Sequence, residues 1–191
     1  MNAVKNQGTC GSCWAFAATA TLEGRYAIKK GSKVTLAEQQ MVDCATACNG
    51  CNGGWASRAL QYVQSAGGQM SASSYPYRNV KGACKFSSGS VKAKVSAVSG
   101  VSDAKSALSS GPVAIYLEAT NAFQAYGGGI FNGVCGQYNH AVTAVGWGTS
   151  GSTEYWIVRN SWGSGWGESG HIRIAINGKC KITWDSYPVV A

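Results

Sequence analysis

The stretch Lys5-Asn6-Gln7-Gly8-Thr9-Cys10-Gly11-Ser12-Cys13-Trp14-Ala15-Phe16 sets a cysteine where a polar, glycine-bearing loop turns into an apolar helix. Ser12 is a helix-capping residue type, and the run Trp14-Ala15-Phe16-Ala17-Ala18 supplies a buried helix body. Cys13 is therefore predicted to lie over the unpaired N–H groups of the first turn. The positive end of the helix dipole favours a thiolate there, and the thiolate is the form that attacks. Gln7, on the same loop, offers a side-chain amide where charge would develop on a substrate carbonyl.

The composition limits what such a cysteine can serve. A chain of 191 residues, 45% hydrophobic and 13% charged, buries a sizeable core in one body or two small lobes. No run reaches the roughly 18 to 20 apolar residues of a membrane span, so no membrane partner is expected. The net charge of +8 would attract polyanions, but the basic residues are scattered and only Lys29-Lys30 are adjacent. No nucleic-acid partner is expected, because no Lys/Arg cluster is interleaved with aromatics. Eight cysteines indicate a disulfide-permitting compartment. No secretory signal and no N-x-[ST] acceptor is visible.

Helical signals fill the first half. A helix from Cys13 should run to about Lys30 and Gly31, and Thr35-Leu36-Ala37-Glu38 has the form of a capping box opening a second toward Cys44. Ala59, Tyr62, Val63 and Ala66 share a helix face, with Gly67-Gly68 as the stop. From Val91 onward the composition turns to strands: Val113 to Leu117, His140 to Val145, Tyr155 to Val158 and Ile172 to Ile176. Helices followed by strands predict an α+β fold of two lobes, helical over 1–98 and mainly β over 99–191, with termini that can cross over and a site in the cleft.

Four blocks in order, Cys10-Gly11-Ser12-Cys13-Trp14, Cys51-Asn52-Gly53-Gly54, Asn139-His140-Ala141-Val142 and Val158-Arg159-Asn160-Ser161-Trp162-Gly163-Ser164-Gly165-Trp166-Gly167, span nearly the whole chain. His140 and Asn160 follow Cys13 at close to the 130 to 150 residues of the known signature. On these blocks the chain resembles the papain-like cysteine proteases, of the papain and cathepsin L-like kind. The resemblance implies a helical lobe packed against a β-barrel-like lobe and a cysteine endopeptidase working through a thioester on Cys13. His140 would be base and then acid, Asn160 would orient it, and Gln7 with the Cys13 N–H would hold the oxyanion. Trp162 would shield the Asn160–His140 bond and Trp166 would line the leaving-group side. Gly53 and Gly54 would let an extended substrate backbone approach; Trp55, Ala56, Tyr116, Tyr138 and Ala141 match positions around the S2 pocket, the subsite that receives the second residue before the scissile bond, and Asn139, also on the substrate side, stands where some members have Asp. Counting from Cys180 puts Asp185 at the floor of that pocket, whereas counting back from Pro188 puts Trp184 there.

The same resemblance implies bridges Cys10–Cys51, Cys44–Cys84 and Cys135–Cys180, with Cys13 free. Cys48 has no counterpart; it is either a free buried thiol or an alternative partner of Cys44 or Cys84. No metal and no organic cofactor is implied. Expected partners are peptide or protein substrates and cystatin-type or pro-segment inhibitors, for a monomer in a lysosomal, vacuolar or secreted setting; ahead of the position of Met1, members of the family usually carry further mature residues preceded by an inhibitory pro-segment. No occluding loop bearing a histidine lies between Cys51 and Cys84, which favours endopeptidase over exopeptidase. The competing class is a catalytically silent homologue that binds or builds. A third, a redox or zinc module, would use Cys10-x-x-Cys13 with Cys48-x-x-Cys51, and it leaves His140, Asn160 and Trp162 unexplained. His171 reads as a half-buried strand residue.

Overall fold

Helix α1 (Cys13–Lys30) is buried over an unbroken run from Trp14 to Arg25, so packing encloses it on all sides and its polar residues there, Glu23 and Arg25 among them, need partners. In the computed structural model, which describes all 191 residues, α1 packs against α2 (Glu38–Cys44), α3 (Ala56–Ala66) and the sheet strands β4 (Val113–Leu117), β6 (His140–Ser150) and β9 (Thr183–Val190). It stops at Gly31, whose φ of 68° carries the chain out in the left-handed region, and α3 stops in the same way at Gly67.

The remaining strands are β1 (Gln69–Met70), β2 (Val91–Ala93), β3 (Val95–Gly100), β5 (Ile130–Phe131), β7 (Thr153–Arg159) and β8 (His171–Ala175), with short helices α4 (Ala104–Ser109) and α5 (Asn121–Gln124) between them. Seven strands form one sheet in the order β3-β9-β4-β6-β7-β8-β5, and β1 pairs with β2. The sheet is antiparallel except for β5 with β8. Its outer strands β3 and β5 do not pair with each other, so the sheet is open and does not close into a barrel.

One apolar cluster centres on Trp14, Leu22, Met41, Leu60 and Val63 and takes in Tyr116 and Ala141 from the sheet. A second lies on the sheet around Ile115, Leu117, Phe123, Val158 and Ile172, and a small third gathers Ala37, Cys44, Met70 and Tyr75. The termini tie the first two together. Near the N-terminus, Asn6 forms a bridge with Trp162, while Lys29 Nζ donates to the Val190 carbonyl near the C-terminus. No helix is long and apolar enough to cross a membrane.

Two helix starts differ from expectation. Ser12 makes no cap bond; its Oγ instead bonds Tyr77 Oη at 2.8 Å, and the Tyr77 hydroxyl donates to the Gln7 carbonyl. The Thr35–Glu38 box does not form either: α2 begins at Glu38 without a side-chain cap, because the Glu38 carboxylate accepts from Lys5 instead of reaching back along its own chain. In both places a tertiary partner outcompeted the local one.

Candidate active site

Bridges join Cys10 to Cys51, Cys44 to Cys84 and Cys135 to Cys180, leaving Cys13 and Cys48 free. Because Cys10 and Cys51 use their sulfurs on each other, neither a Cys10–Cys13 redox pair nor a four-sulfur zinc set exists. Trp14, fully buried and donating through Nε1 to the Gly50 carbonyl, anchors the first turn of α1 and with it the half-buried Cys13. Burial pushes the Cys13 thiol up, and the backbone N–H groups of Ala141, Trp14 and Cys13 itself oppose that rise by stabilising the thiolate.

Ala141 is the neighbour of His140 at the start of β6, so the sulfur lies beside the imidazole's own strand. His140 Nε2 and Asn160 Oδ1 are 2.8 Å apart, which leaves Nδ1 free for the sulfur. Trp162 stacks on the His140 ring at a centroid distance of 4.8 Å, and Phe123 meets both edge-on. Burial lowers the imidazole to about 4, opposed by the Asn160 bond. Each charge is therefore disfavoured singly. Moving the proton from sulfur to ring creates both at once, and the two neutralise each other in a site of low dielectric.

Gln7 is buried; its Nε2 donates to the Cys10 carbonyl and its Oε1 accepts from Ser161 Oγ at 2.7 Å. One amide hydrogen remains for a substrate oxygen. Ser161, Tyr77 and Phe123 are the site residues that the sequence reading missed. Ser161 sits inside the Asn160-Ser161-Trp162 run, which was its one available signal; Tyr77 and Phe123 carry none. Trp166 packs on Phe123 and donates to the Gln124 carbonyl. His171, half-buried at the start of β8, directs Nδ1 to the Ser169 carbonyl and not to this group.

The glycine pair borders an open recess also lined by Cys48 and Trp55. Gly53 has φ of 102°, and a Cβ there would meet nothing. A Cβ on Gly54 would lie 2.7 Å from the Trp14 ring and 2.8 Å from the Cys48 Cβ. The core therefore requires glycine at Gly54, a reason separate from the expected approach of substrate. Cys48 is buried, with its thiol facing the Trp55 carbonyl.

Trp55, Tyr116 and Tyr138 form one aromatic wall, with centroid distances of 4.7, 5.8 and 6.4 Å. The Tyr116 hydroxyl accepts from Ala56 N at 2.8 Å and donates to the Gly54 carbonyl. Asn139 Oδ1 accepts from Ala119 N, so it shapes the loop before His140. Trp184 turns away from this wall and packs on Trp156 at 4.9 Å in the β-lobe cluster. Asp185 is the extra residue of a bulge, since Trp184 opposes Ile115 and Ser186 opposes Ala114, and its carboxylate accepts from Ser57 N at the first turn of α3. Burial raises the Asp185 carboxyl, against that bond.

Behind Asn160 lies a charged cluster. Lys5 Nζ bridges Glu23 and Glu38, while Arg159 donates to the Asn2 and Ala3 carbonyls. This pins the strap of residues 2–7 whose backbone meets Ser161 and Gly163.

Comparison with known proteins agrees along the chain. The family model described as papain family cysteine protease matches residues 1–190. Fruit bromelain of Ananas comosus is 47% identical over 92% of this chain, which spans 52% of that relative. The structure of the Ananas comosus bromelain protease in complex with the E64 inhibitor superposes with a TM-score of 0.91 at 44% identity, covering 98% of this chain and 93% of the other. A digestive procathepsin L2 proteinase from Tenebrio molitor larval midgut gives 0.91 at 37% identity, over 98% of this chain and 64% of that one.

Proposed function

The chain belongs to the papain family of cysteine proteases, and on that premise we propose that it is a cysteine endopeptidase cleaving peptide bonds through a thioester on Cys13. The observation that carries the reading is one constellation: a free thiol at the N-terminus of α1, whose thiolate the backbone of Ala141, the residue after His140, stabilises, and an imidazole whose Nε2 bonds Asn160 under Trp162. The thiol proton passes to His140 Nδ1. The sulfur then bonds the scissile carbon, whose oxygen takes the electron pair and is held by the Cys13 N–H and the Gln7 amide. As the carbonyl re-forms, the C–N bond breaks and His140 protonates the leaving amine. Water, deprotonated by His140, next attacks the thioester; the C–S bond breaks and the acid product leaves.

Asn160 orients the ring, and the stacked Trp162 keeps water off that bond. The wall of Trp55, Tyr116 and Tyr138 suits an apolar side chain at P2, the second substrate residue before the scissile bond, and the Asp185 carboxylate would admit an Arg beside it. The bromelain structure in complex with the E64 inhibitor supports inhibitor binding by this chain too, and three disulfides suit a secreted or vacuolar compartment. His140→Ala should abolish peptide turnover while His171→Ala leaves it largely intact. A folded but dead His171 variant beside an active His140 variant overturns the assignment.

A further inference from the structure

Asn160 holds one group that the proposed reaction does not use. The residue is 3% exposed. Its Oδ1 accepts from the His140 ring and from Ser161 N, while Nδ2, which carries two donor hydrogens, meets no acceptor in the protein. An amide donor left unpaired in a buried site is costly, and here it belongs to the residue that orients the imidazole. Asn160 also lines a cavity of about 20 Å³ between the lobes, whose wall includes Ala17 of α1, Thr143 of β6 and the charged side chains Glu23, Glu38 and Arg159. A buried water needs roughly 10 to 15 Å³ on this measure and two to four polar partners. The cavity supplies the room for one water, and its carboxylates and amide supply the partners.

We infer that this cavity is a binding site for a single ordered water, which accepts from Asn160 Nδ2 and donates to the carboxylate wall. The water joins the Lys5–Glu23–Glu38 cluster to Asn160 and through it to His140, so the cluster becomes a positioning element for the imidazole. It also fixes the amide's sense. With Nδ2 bonded to that water, Oδ1 faces His140 and Ser161 N; the reversed amide would set donor against donor at Ser161 N. This rests on the orienting role proposed for Asn160, but the water itself is observable whether or not that role holds.

The test has two arms. In a high-resolution crystal structure of the wild-type protein, density for a water should stand within about 3.2 Å of Asn160 Nδ2; its absence overturns the inference whatever any variant does. The second arm fills the cavity from α1. Ala17→Val puts methyl groups there and should remove one long-lived water from the ¹⁷O relaxation dispersion, lower kcat by about tenfold with KM unchanged, and shift the His140 titration. Ala17→Ser leaves a polar partner in the same place and should keep both kcat and the titration close to wild type. Equal losses in the two variants, or a Val variant that loses the water but keeps full kcat and an unmoved titration, refute the positioning role. A bound water in a protein with no peptidase activity refutes the endopeptidase reading instead.

Discussion

Replacing Glu38 by Gln removes a titration that the fold holds far from its usual place. Burial pushes the Glu38 carboxyl up to about 7, and the pull of Lys5 is not enough to restore it. Lys5 is desolvated too, yet facing Glu38 and Glu23 together raises it: two acids share one cation. Tyr77 and Arg159 are the other titratable groups that feel Glu38. The native chain thus keeps a proton that the unfolded chain releases near the ordinary value of about 4.3. Between those values the folded state binds more protons, so stability falls as pH rises through this window and levels off above about 7. A gap of about 2.7 units, at about 1.4 kcal/mol each, is worth just under about 4 kcal/mol in full, of which about 3 kcal/mol falls between pH 4.5 and 8. Urea unfolding of Cys13→Ala protein, which cannot digest itself, measures the effect at pH 4.5 and 8. The stability difference between the two pH values should shrink by about 3 kcal/mol on adding Glu38→Gln. Parallel pH curves for the two proteins would refute the reasoning, because some other group would then hold the proton.

Ring NMR should find His140 titrating near about 4 in Cys13→Ala, where burial acts without a thiolate, and well above that in wild type, where the sulfur anion stabilises the imidazolium. A variant value at the ordinary histidine pKa would mean that the site is wetter than its packing indicates. Asp185→Ala should destabilise the protein by about 1 kcal/mol, through loss of the acceptor for Ser57 N at α3. It should also lower kcat/KM for an Arg-Arg reporter peptide relative to Leu-Arg; an unchanged ratio means that Asp185 only caps the helix.

Where local chemistry and packing agree, the elements could be read from sequence. Helix α1 with its Gly31 stop, α3 with Gly67-Gly68, and the cores of β4, β6, β7 and β8 lie within a few residues of their expected positions. Helices α4 and α5 were missed because they are one to two turns long and show no apolar period, although Asp103 and Thr120 cap them locally. Ser12 and Glu38 misled for the opposite reason: both have the right residue type for a cap, but Tyr77 and Lys5, far along the chain, take their oxygens. Counting could not decide between Trp184 and Asp185, because the inserted residue of the β9 bulge changes which side chain faces α3. The four motif blocks were legible because each keeps its chemistry within a few residues, whereas Phe123, which packs on His140, Trp162 and Trp166, sits in no such block.

Cys13 and Cys48 are the two free thiols, and they differ in their settings: the half-buried N-terminus of α1 for one, a buried position against the Trp55 carbonyl for the other. Labelling the native protein with an epoxide electrophile, followed by peptide mapping against residual activity, addresses the nucleophile directly. Cys13 should be modified in step with loss of turnover while Cys48 stays unmodified, and His140→Ala should slow the labelling by about a hundredfold or more. Labelling at Cys48 that tracks the loss of activity, or Cys13 labelling as fast in His140→Ala as in wild type, would contradict an imidazole-primed Cys13.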